Sequence, residues 1–240
     1  MKITVKSNID EATRGLSDLA RRQIPFATSR ALNATAKSVQ DRLSREITSR
    51  FDRPTPWIQK SPFVRNSSKE NLEAIVGIKN QGRAASQAVY LAQHFEGGGR
   101  GNKPMEKAMR AAGILPAGWL AVPSQDGVQK DAYGNVSKAT VARIIAALQN
   151  GGRQQKGGNS FRLFIVRPDH ADPRTRHLEP GIWSVSGFGD QTILKPVFLF
   201  VRAATYRQVI DLPAIAQDVV QREFDQHFAT ALDQALRTAR

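Results

Sequence analysis

A long helical pattern in the N-terminal part of the chain restricts its fold more than any other feature. Between residues 25 and 50, apolar residues recur every three or four positions and basic residues occupy other faces, as in a helix with one buried side. The apolar line consists of Leu32, Ala36, Val39, Leu43 and Ile47. Pro54 and Pro56 cannot continue a helix, so we expect this helix to end just before them.

The residues before this helix predict a strand and a separate helix. Residues 2–6 alternate between polar and apolar side chains, which is typical of a short edge strand. Asn8 or Asp10 can cap a helix that we expect to end near Gln23. Pro25 suits the first position of the next helix, because the N–H that it lacks would be unpaired there.

Short strands and helices follow through the rest of the chain. Apolar patterns predict strands at 63–65, 72–78, 161–166, 181–186 and 193–201. Helical patterns predict helices at 84–95, 104–112 and 137–150. Asp211 and Pro213 open a final helix that continues almost to residue 240.

This order of elements predicts an α+β fold. We expect a small, mostly antiparallel sheet packed by the N-terminal helices and a long C-terminal helix. Residues 1–80 and 161–240 would form one core domain, and the glycine-punctuated residues 81–160 a flexible insertion of helices and loops. Phe224 and Phe228 on the final helix would pack on the strands at 161–166 and 193–201, the alternative being a groove for a partner.

The chain is strongly basic. Its 35 lysines and arginines against 21 aspartates and glutamates give a formal net charge of +14. Such a charge favours nucleic acid, anionic lipid or an acidic protein surface as a partner. The charge is +5 over residues 1–50, +8 over 51–160 and +1 over 161–240.

The densest basic series begins at Arg21 and Arg22 and continues to Arg65, and Trp57 and Phe63 interleave it. A face of this kind can hold a phosphate backbone through charge alone, without reading its sequence. The alternative is a helix face that is simply solvated. The candidate contacts to DNA or to an acidic partner are Arg30, Lys37, Arg42, Arg45, Arg50, Arg53, Lys60 and Arg65.

Few residues suggest a catalytic, metal-binding or nucleotide-binding site. The chain has no cysteine, which excludes disulfides, thiolate metal sites and a cysteine nucleophile. The loop 97–103 looks like a phosphate-binding loop, but Pro104 follows Lys103 where such a loop has Ser or Thr. His170, Asp172 and His177 lie close in sequence, and we weigh a metal or acid/base role for them against a solvated loop.

We therefore expect a protein that is not an enzyme, with no catalytic residue, cofactor or metal site. The first ten residues lack the apolar run of a secretory signal. The densest apolar stretch, 196–201, is far shorter than the roughly 20 residues of a membrane span, so we expect no membrane partner.

Several segments resemble the minor tail protein Z family of tailed bacteriophages. QIPFATSRALNATAKSVQDRLSREI at 23–47 and RPTPWIQKSPFVR at 53–65 are similar to an Ala-rich, Arg-bearing helix leading into a basic strand region. GIWSV at 181–185, ILKPVFLF at 193–200 and DLPAIAQDVVQREFDQHFATALDQAL at 211–236 are similar to the later part of Z-like and related tail-completion proteins.

The resemblance implies a structural virion protein that completes the tail and helps to join it to the head or neck. It implies a ring of copies, a hexamer by family analogy, assembled in the host cytoplasm. Expected partners are the tail terminator, the tail tube or head connector proteins, and the genome end in the channel. The family brings no catalytic residues. The alternative is a sequence-independent nucleic-acid-binding protein of the genome-packaging or nucleoid type.

Overall fold

The computed structural model describes residues 2–6, 18–80, 86–156, 159–169, 172–187 and 191–238. The chain forms two compact units, unit 1 (Met1–Gly98 and Arg207–Arg240) and unit 2 (Gly99–Tyr206). Helices and small antiparallel sheets make up the structure, which confirms the predicted α+β class.

These units divide the chain differently from our expected division at residues 80 and 160. The strands within 161–201 belong to unit 2, together with two helices of the expected insertion, and not to the N-terminal residues. The reason is local burial, because those helices and strands share one hydrophobic core. Of the C-terminal elements, the final helix belongs to unit 1.

Unit 1 contains a three-stranded antiparallel sheet in the order β1-β3-β2. Its elements are β1 (Lys2–Lys6), α1 (Asp18–Arg50), α2 (Pro56–Gln59), β2 (Pro62–Arg65), β3 (Glu73–Ile78), α3 (Gln87–Glu96) and α6 (Leu212–Thr238). The predicted edge strand at residues 2–6 is confirmed, because β1 pairs with β3 on one side of the sheet. The short strand β4 (Gly98–Gly99) spans the position at which the units divide.

Helix α1 is a single helix that passes through Pro25. The predicted helix boundary between Gln23 and Pro25 is therefore wrong. A proline inside a helix removes one backbone hydrogen bond and costs about 3 kcal/mol. Burial of the α1 side chains from Leu32 to Ile47 in the core of unit 1 offsets that cost. The predicted caps Asn8 and Asp10 lie outside the described residues.

The core of unit 1 forms along the apolar face of α1. The predicted line from Leu32 to Ile47 is confirmed, since all five of its side chains are at most 3% exposed. They pack with Ala74, Val76 and Ile78 of β3 and with residues of α6. The alternation of β3 therefore places one of its faces on α1.

Helix α6 packs antiparallel to α1. Asp211 caps it, because its Oδ1 accepts a hydrogen bond from the Ala214 N–H at 3.0 Å. Phe224 packs on the core of unit 1, and Phe228 packs beside Ala27 of α1 and its neighbours on α6. Our expectation that both would pack on the strands at 161–166 and 193–201 is wrong, because those strands pack with two helices of unit 2.

Unit 2 contains a five-stranded antiparallel sheet in the order β5-β9-β8-β7-β6. Its elements are α4 (Pro104–Ala111), β5 (Leu120–Pro123), α5 (Lys138–Gln149), β6 (Arg153–Lys156), β7 (Asn159–Val166), β8 (Gly181–Ser186), β9 (Ile193–Val201) and β10 (Thr205–Tyr206). β8 and β9 begin and end where we predicted, and they pair antiparallel as a hairpin. β5 and β6 are strands that the sequence did not predict.

The core of unit 2 lies where the helices α4 and α5 meet its sheet. Met109 of α4 and Ile144 of α5 pack in one cluster with Leu163, Ile182 and Phe198 of the sheet. Helix α5 forms where predicted because the hydroxyl of Ser137 caps it by accepting from the Thr140 N–H. Among the described residues, no helix combines the length and the apolar character that crossing a membrane requires.

Candidate functional site

The eight predicted contact residues are all exposed, but they do not form one continuous face. Five of them lie on α1, at positions 30, 37, 42, 45 and 50. Arg53 lies in the loop after α1, Lys60 at the end of α2, and Arg65 at the end of β2. Their exposure agrees with a contact role and equally with a solvated face.

Arg30, Lys37 and Arg45 share one strip of α1. With about 100° per residue, spacings of seven and eight residues keep these three side chains within about 80° of one another. This strip points away from the buried line of Leu32 to Ile47. We call Arg30, Lys37 and Arg45 the outer strip.

Five of the eight predicted contact residues are paired with a total of four carboxylates. Lys37 pairs with Asp41 at 2.9 Å, Arg53 with Asp52 at 3.1 Å, and Arg65 with Glu73 at 3.5 Å. On α1, Glu46 accepts from both Arg42 and Arg50, one turn away on either side. Hydrogen bonding to Arg50 is the main cause that lowers the pKa of Glu46, and Arg42 adds to it against the effect of burial.

Three of the eight cations have no carboxylate partner among the described residues. They are Arg30, Arg45 and Lys60; the guanidinium of Arg30 lies 5.8 Å from the ring centre of Phe26. These three side chains are the part of the predicted surface that is available to an anionic partner without first giving up an ion pair.

An acidic element lies against the basic one within unit 1. Helix α6 carries four acidic and two basic residues, and α1 carries three acidic and seven basic residues. Asp218 pairs with Arg222 one turn later on α6, and both line a polar groove with Arg42 and Arg45 of α1. The groove mixes both charges, so it dilutes the positive field on that side of α1.

An exposed aromatic pair extends the surface of unit 1. The rings of Trp57 (α2) and Tyr90 (α3) meet edge to face with centroids 5.8 Å apart. They are 45% and 38% exposed, and the neighbouring Val89 is 54% exposed. We call Trp57, Val89 and Tyr90 the aromatic patch. The sequence singled out Trp57 beside basic residues but missed Val89 and Tyr90, because only the fold brings α2 and α3 together.

The loop 97–103 holds a buried ion pair. The Arg100 Nη1 and Nη2 atoms donate to the two carboxylate oxygens of Glu106 at 2.8 and 2.6 Å. The N–H groups of Lys103 and Ala121 donate to the same carboxylate at 2.7 and 2.9 Å. The side chains of Arg100 and Glu106 are only 4% and 0% exposed. The resemblance of this loop to a phosphate-binding loop gave no hint of the pair.

These contacts shift the pKa of each charged group. Burial raises the pKa of Glu106, but the hydrogen bonds from Arg100, Lys103 and Ala121 outweigh burial and hold it below its ordinary value. The hydrogen bonds to Glu106 raise the pKa of Arg100, against the effect of burial. Burial lowers the pKa of Lys103, and the nearby Arg100 lowers it further.

The predicted histidine cluster is only partly within the described residues, because His170 lies outside them. Asp172 pairs with Arg174 at 3.2 Å, and His177 is exposed. Within the described part of the chain, no three or more histidine, aspartate or glutamate side chains are grouped so that they could hold a metal ion.

Comparison with known proteins adds no assignment. No protein-family model, curated protein or solved structure matches this chain.

Proposed function

We propose that this chain is a non-enzymatic structural protein of a tailed-phage virion, which completes the tail and helps to join it to the head as a ring of copies. The resemblance of 23–65 and 181–236 to tail-completion proteins suggests this function. The observation that supports the proposal on the structural side is the aromatic patch, because Trp57 and Tyr90 are exposed rings in contact with each other and aromatic residues are enriched at protein interfaces.

A ring needs two different surfaces that complement each other on neighbouring subunits. Unit 1 offers such a pair, since the outer strip is basic and α6 is acidic. Asp225 on α6 is exposed and has no basic partner among the described residues. In the proposed ring, the aromatic patch supplies apolar contact area and the two helices supply the charge that fixes the register.

The oligomeric state tests this proposal. We expect light scattering after gel filtration to show a closed oligomer for the wild type and a monomer for the double variant Trp57→Ser/Tyr90→Ser. Tyr133→Ser, at a 42% exposed tyrosine of unit 2, is the control and should leave the oligomer intact. A wild type that stays monomeric at every concentration would contradict the ring.

Particle assembly tests the place of the ring. Phage particles made without this protein should appear in negative stain as separate heads and tails, and complementation with the wild type should rejoin them. Normal joined particles would rule out the head–tail function.

Sequence-independent binding of nucleic acid is the second candidate, and Arg30, Arg45 and Lys60 favour it. Each cation that neutralises a phosphate adds about 0.9 to the slope of log affinity against log salt concentration. Replacing Arg30, Arg45 and Lys60 together by glutamine should therefore lower the size of that slope by about 2.7. A matched triple glutamine variant at Lys138, Arg143 and Arg162, all exposed on unit 2, should change it far less. Equal slopes in the two triple variants would contradict this candidate, because Arg30, Arg45 and Lys60 would then contribute no more than exposed cations elsewhere on the chain.

A further inference from the structure

Unit 2 contains a cavity of about 450 Å³ that three arginines line. Arg100 comes from the loop before α4, Arg110 from the end of α4, and Arg202 from the residue after β9. Ala117, Leu120 and Ala204 form apolar parts of its wall. The volume lies within the range of about 300–1,000 Å³ that is usual for small-molecule sites.

The charge of this cavity is not balanced. Glu106 pairs with Arg100, and its two oxygens already accept four hydrogen bonds, so it can neutralise only that one arginine. Arg110 and Arg202 have no carboxylate partner among the described residues. The cavity therefore presents two uncompensated guanidinium groups beside one balanced pair.

All three arginines are held in place by contacts within unit 2. Arg110 donates through Nη2 to the Trp119 carbonyl oxygen at 2.9 Å. The guanidinium of Arg202 lies 5.0 Å from the ring centre of the same Trp119. Arg100 is held through both Nη atoms by Glu106. Such contacts reduce the conformational freedom that the arginines would lose on binding a ligand.

One donor in this group lacks a partner. The Nε atom of Arg100 is buried and makes no hydrogen bond within the described residues. Because this atom has almost no accessible surface, a ligand in the cavity would contact Arg110 and Arg202 and not this atom.

We propose that this cavity binds a phosphate monoester. The fork geometry of arginine fits phosphate and carboxylate oxygens. A single carboxylate carries one negative charge, whereas a phosphate monoester carries close to two at neutral pH and so matches the two uncompensated arginines. The apolar wall and the volume favour a phosphate that is attached to an organic group. That group belongs either to a free small molecule or to the 5′ end of a nucleic-acid strand.

Calorimetric titration of the full-length protein tests this site. We expect phenyl phosphate to bind more tightly than inorganic phosphate, and binding to weaken about tenfold or more in Arg202→Gln and in Arg110→Gln, because each variant removes a charged donor. Arg143→Gln, at an exposed arginine of α5 outside the cavity lining, is the matched control and should bind like the wild type.

Two further probes identify the source of the phosphate. An oligonucleotide with a 5′-phosphate is compared with the same oligonucleotide without it, and both with phenyl phosphate. Preference for the phosphorylated strand over phenyl phosphate assigns the site to nucleic-acid ends, and the reverse preference assigns it to small molecules. The proposal would be overturned if no phosphate monoester bound saturably, or if both the Arg202→Gln and Arg110→Gln variants kept the affinity of the wild type. It would also be overturned if only the oligonucleotides bound and they bound equally with and without the 5′-phosphate.

Discussion

The substitution Glu106→Gln removes one charge from the buried ion pair of unit 2 and changes almost no volume. In the wild type, both carboxylate oxygens accept two hydrogen bonds each, from Arg100 and from the N–H groups of Lys103 and Ala121. The glutamine side chain keeps one acceptor oxygen and replaces the other by an NH₂ group. That NH₂ group then faces two donors, whichever way the amide is turned.

The expected loss of stability is large. Breaking a buried ion pair on one side costs about 3–5 kcal/mol, because the remaining charge stays buried without compensation. Arg100 is only 4% exposed, so its guanidinium cannot recover hydration without a rearrangement of the loop. Asp172→Asn is the control, since Asp172 pairs with an arginine that is 88% exposed, and it should cost less than about 1 kcal/mol.

Urea unfolding followed by tryptophan fluorescence measures this loss. Of the three tryptophans, Trp57 lies in unit 1, whereas Trp119 and Trp183 lie in unit 2. In a Trp57→Phe background, the signal therefore reports on unit 2 alone. A loss below about 1 kcal/mol for Glu106→Gln would refute the reasoning, because it would mean that the pair is solvated rather than buried.

The same variant gives a pH test with a defined sign. The folded-state pKa of Glu106 lies below its ordinary value of 4.5, so the stability from this carboxylate is present above that pH and is lost as pH falls through the folded-state pKa. The stability difference between the wild type and Glu106→Gln should accordingly shrink at acid pH. Taking the difference cancels the contributions of other carboxylates.

Two further substitutions test backbone geometry and helix packing. Gly152→Ala should destabilise unit 2 clearly more than Gly151→Ala in the same urea assay. Both glycines have φ of +80°, which costs about 1 kcal/mol for a residue with a side chain. Only at position 152 would the added Cβ also meet the Leu163 carbonyl oxygen, at 1.9 Å. Similar losses for both would show that the close approach is relieved easily. Ala27→Leu should lower the stability of unit 1 by about 1–3 kcal/mol, because the larger side chain would be overpacked against α6. Thermal unfolding measures this loss, and the control Thr48→Leu, on the exposed side of α1, should leave the stability nearly unchanged.

The elements that the sequence predicted well are those whose limits are set by local chemistry. The N-terminus of α5 follows from the cap at Ser137, and that of α6 from the cap at Asp211. β8 and β9 are short runs rich in apolar residues. In contrast, β6 has the sequence RQQK, with no apolar residue, and is a strand because β7 pairs with it. No local signal in the sequence could have indicated β6.

The division into units and the buried pair were beyond the sequence for the same reason. Contacts between residues that are distant in sequence decide whether the strands within 161–201 share a core with the N-terminal helices or with α4 and α5. Arg100 and Glu106 are six residues apart, a spacing that is equally compatible with two solvated charges. Only the approach of β5, which brings the Ala121 N–H to the carboxylate, makes the site a buried one.

The ion pairs of α1 could have been read from the sequence, and they change what the basic series means. Asp41 stands four residues after Lys37, and Glu46 stands four residues from both Arg42 and Arg50, which is the spacing of neighbours on a helix. Among the five predicted contact residues on α1, counting these pairs first would have left Arg30 and Arg45 as the two without a carboxylate partner, although Glu46 supplies one charge to two arginines. The field of this helix therefore depends on fewer residues than its composition suggests.

Salt should distinguish the two anion-binding surfaces proposed for this protein. Exposed charges are screened over a Debye length of about 8 Å at physiological ionic strength, whereas buried charges are screened much less. Arg30, Arg45 and Lys60 are exposed, so contacts to DNA through them should weaken steeply as salt is raised. Phenyl phosphate is a single small anion without the counterion atmosphere of DNA, and only Arg110 and Arg202 offer it uncompensated charge, so its affinity for the cavity of unit 2 should fall less over the same range. If both affinities fell in parallel, the cavity would be acting as one more part of a solvated basic surface.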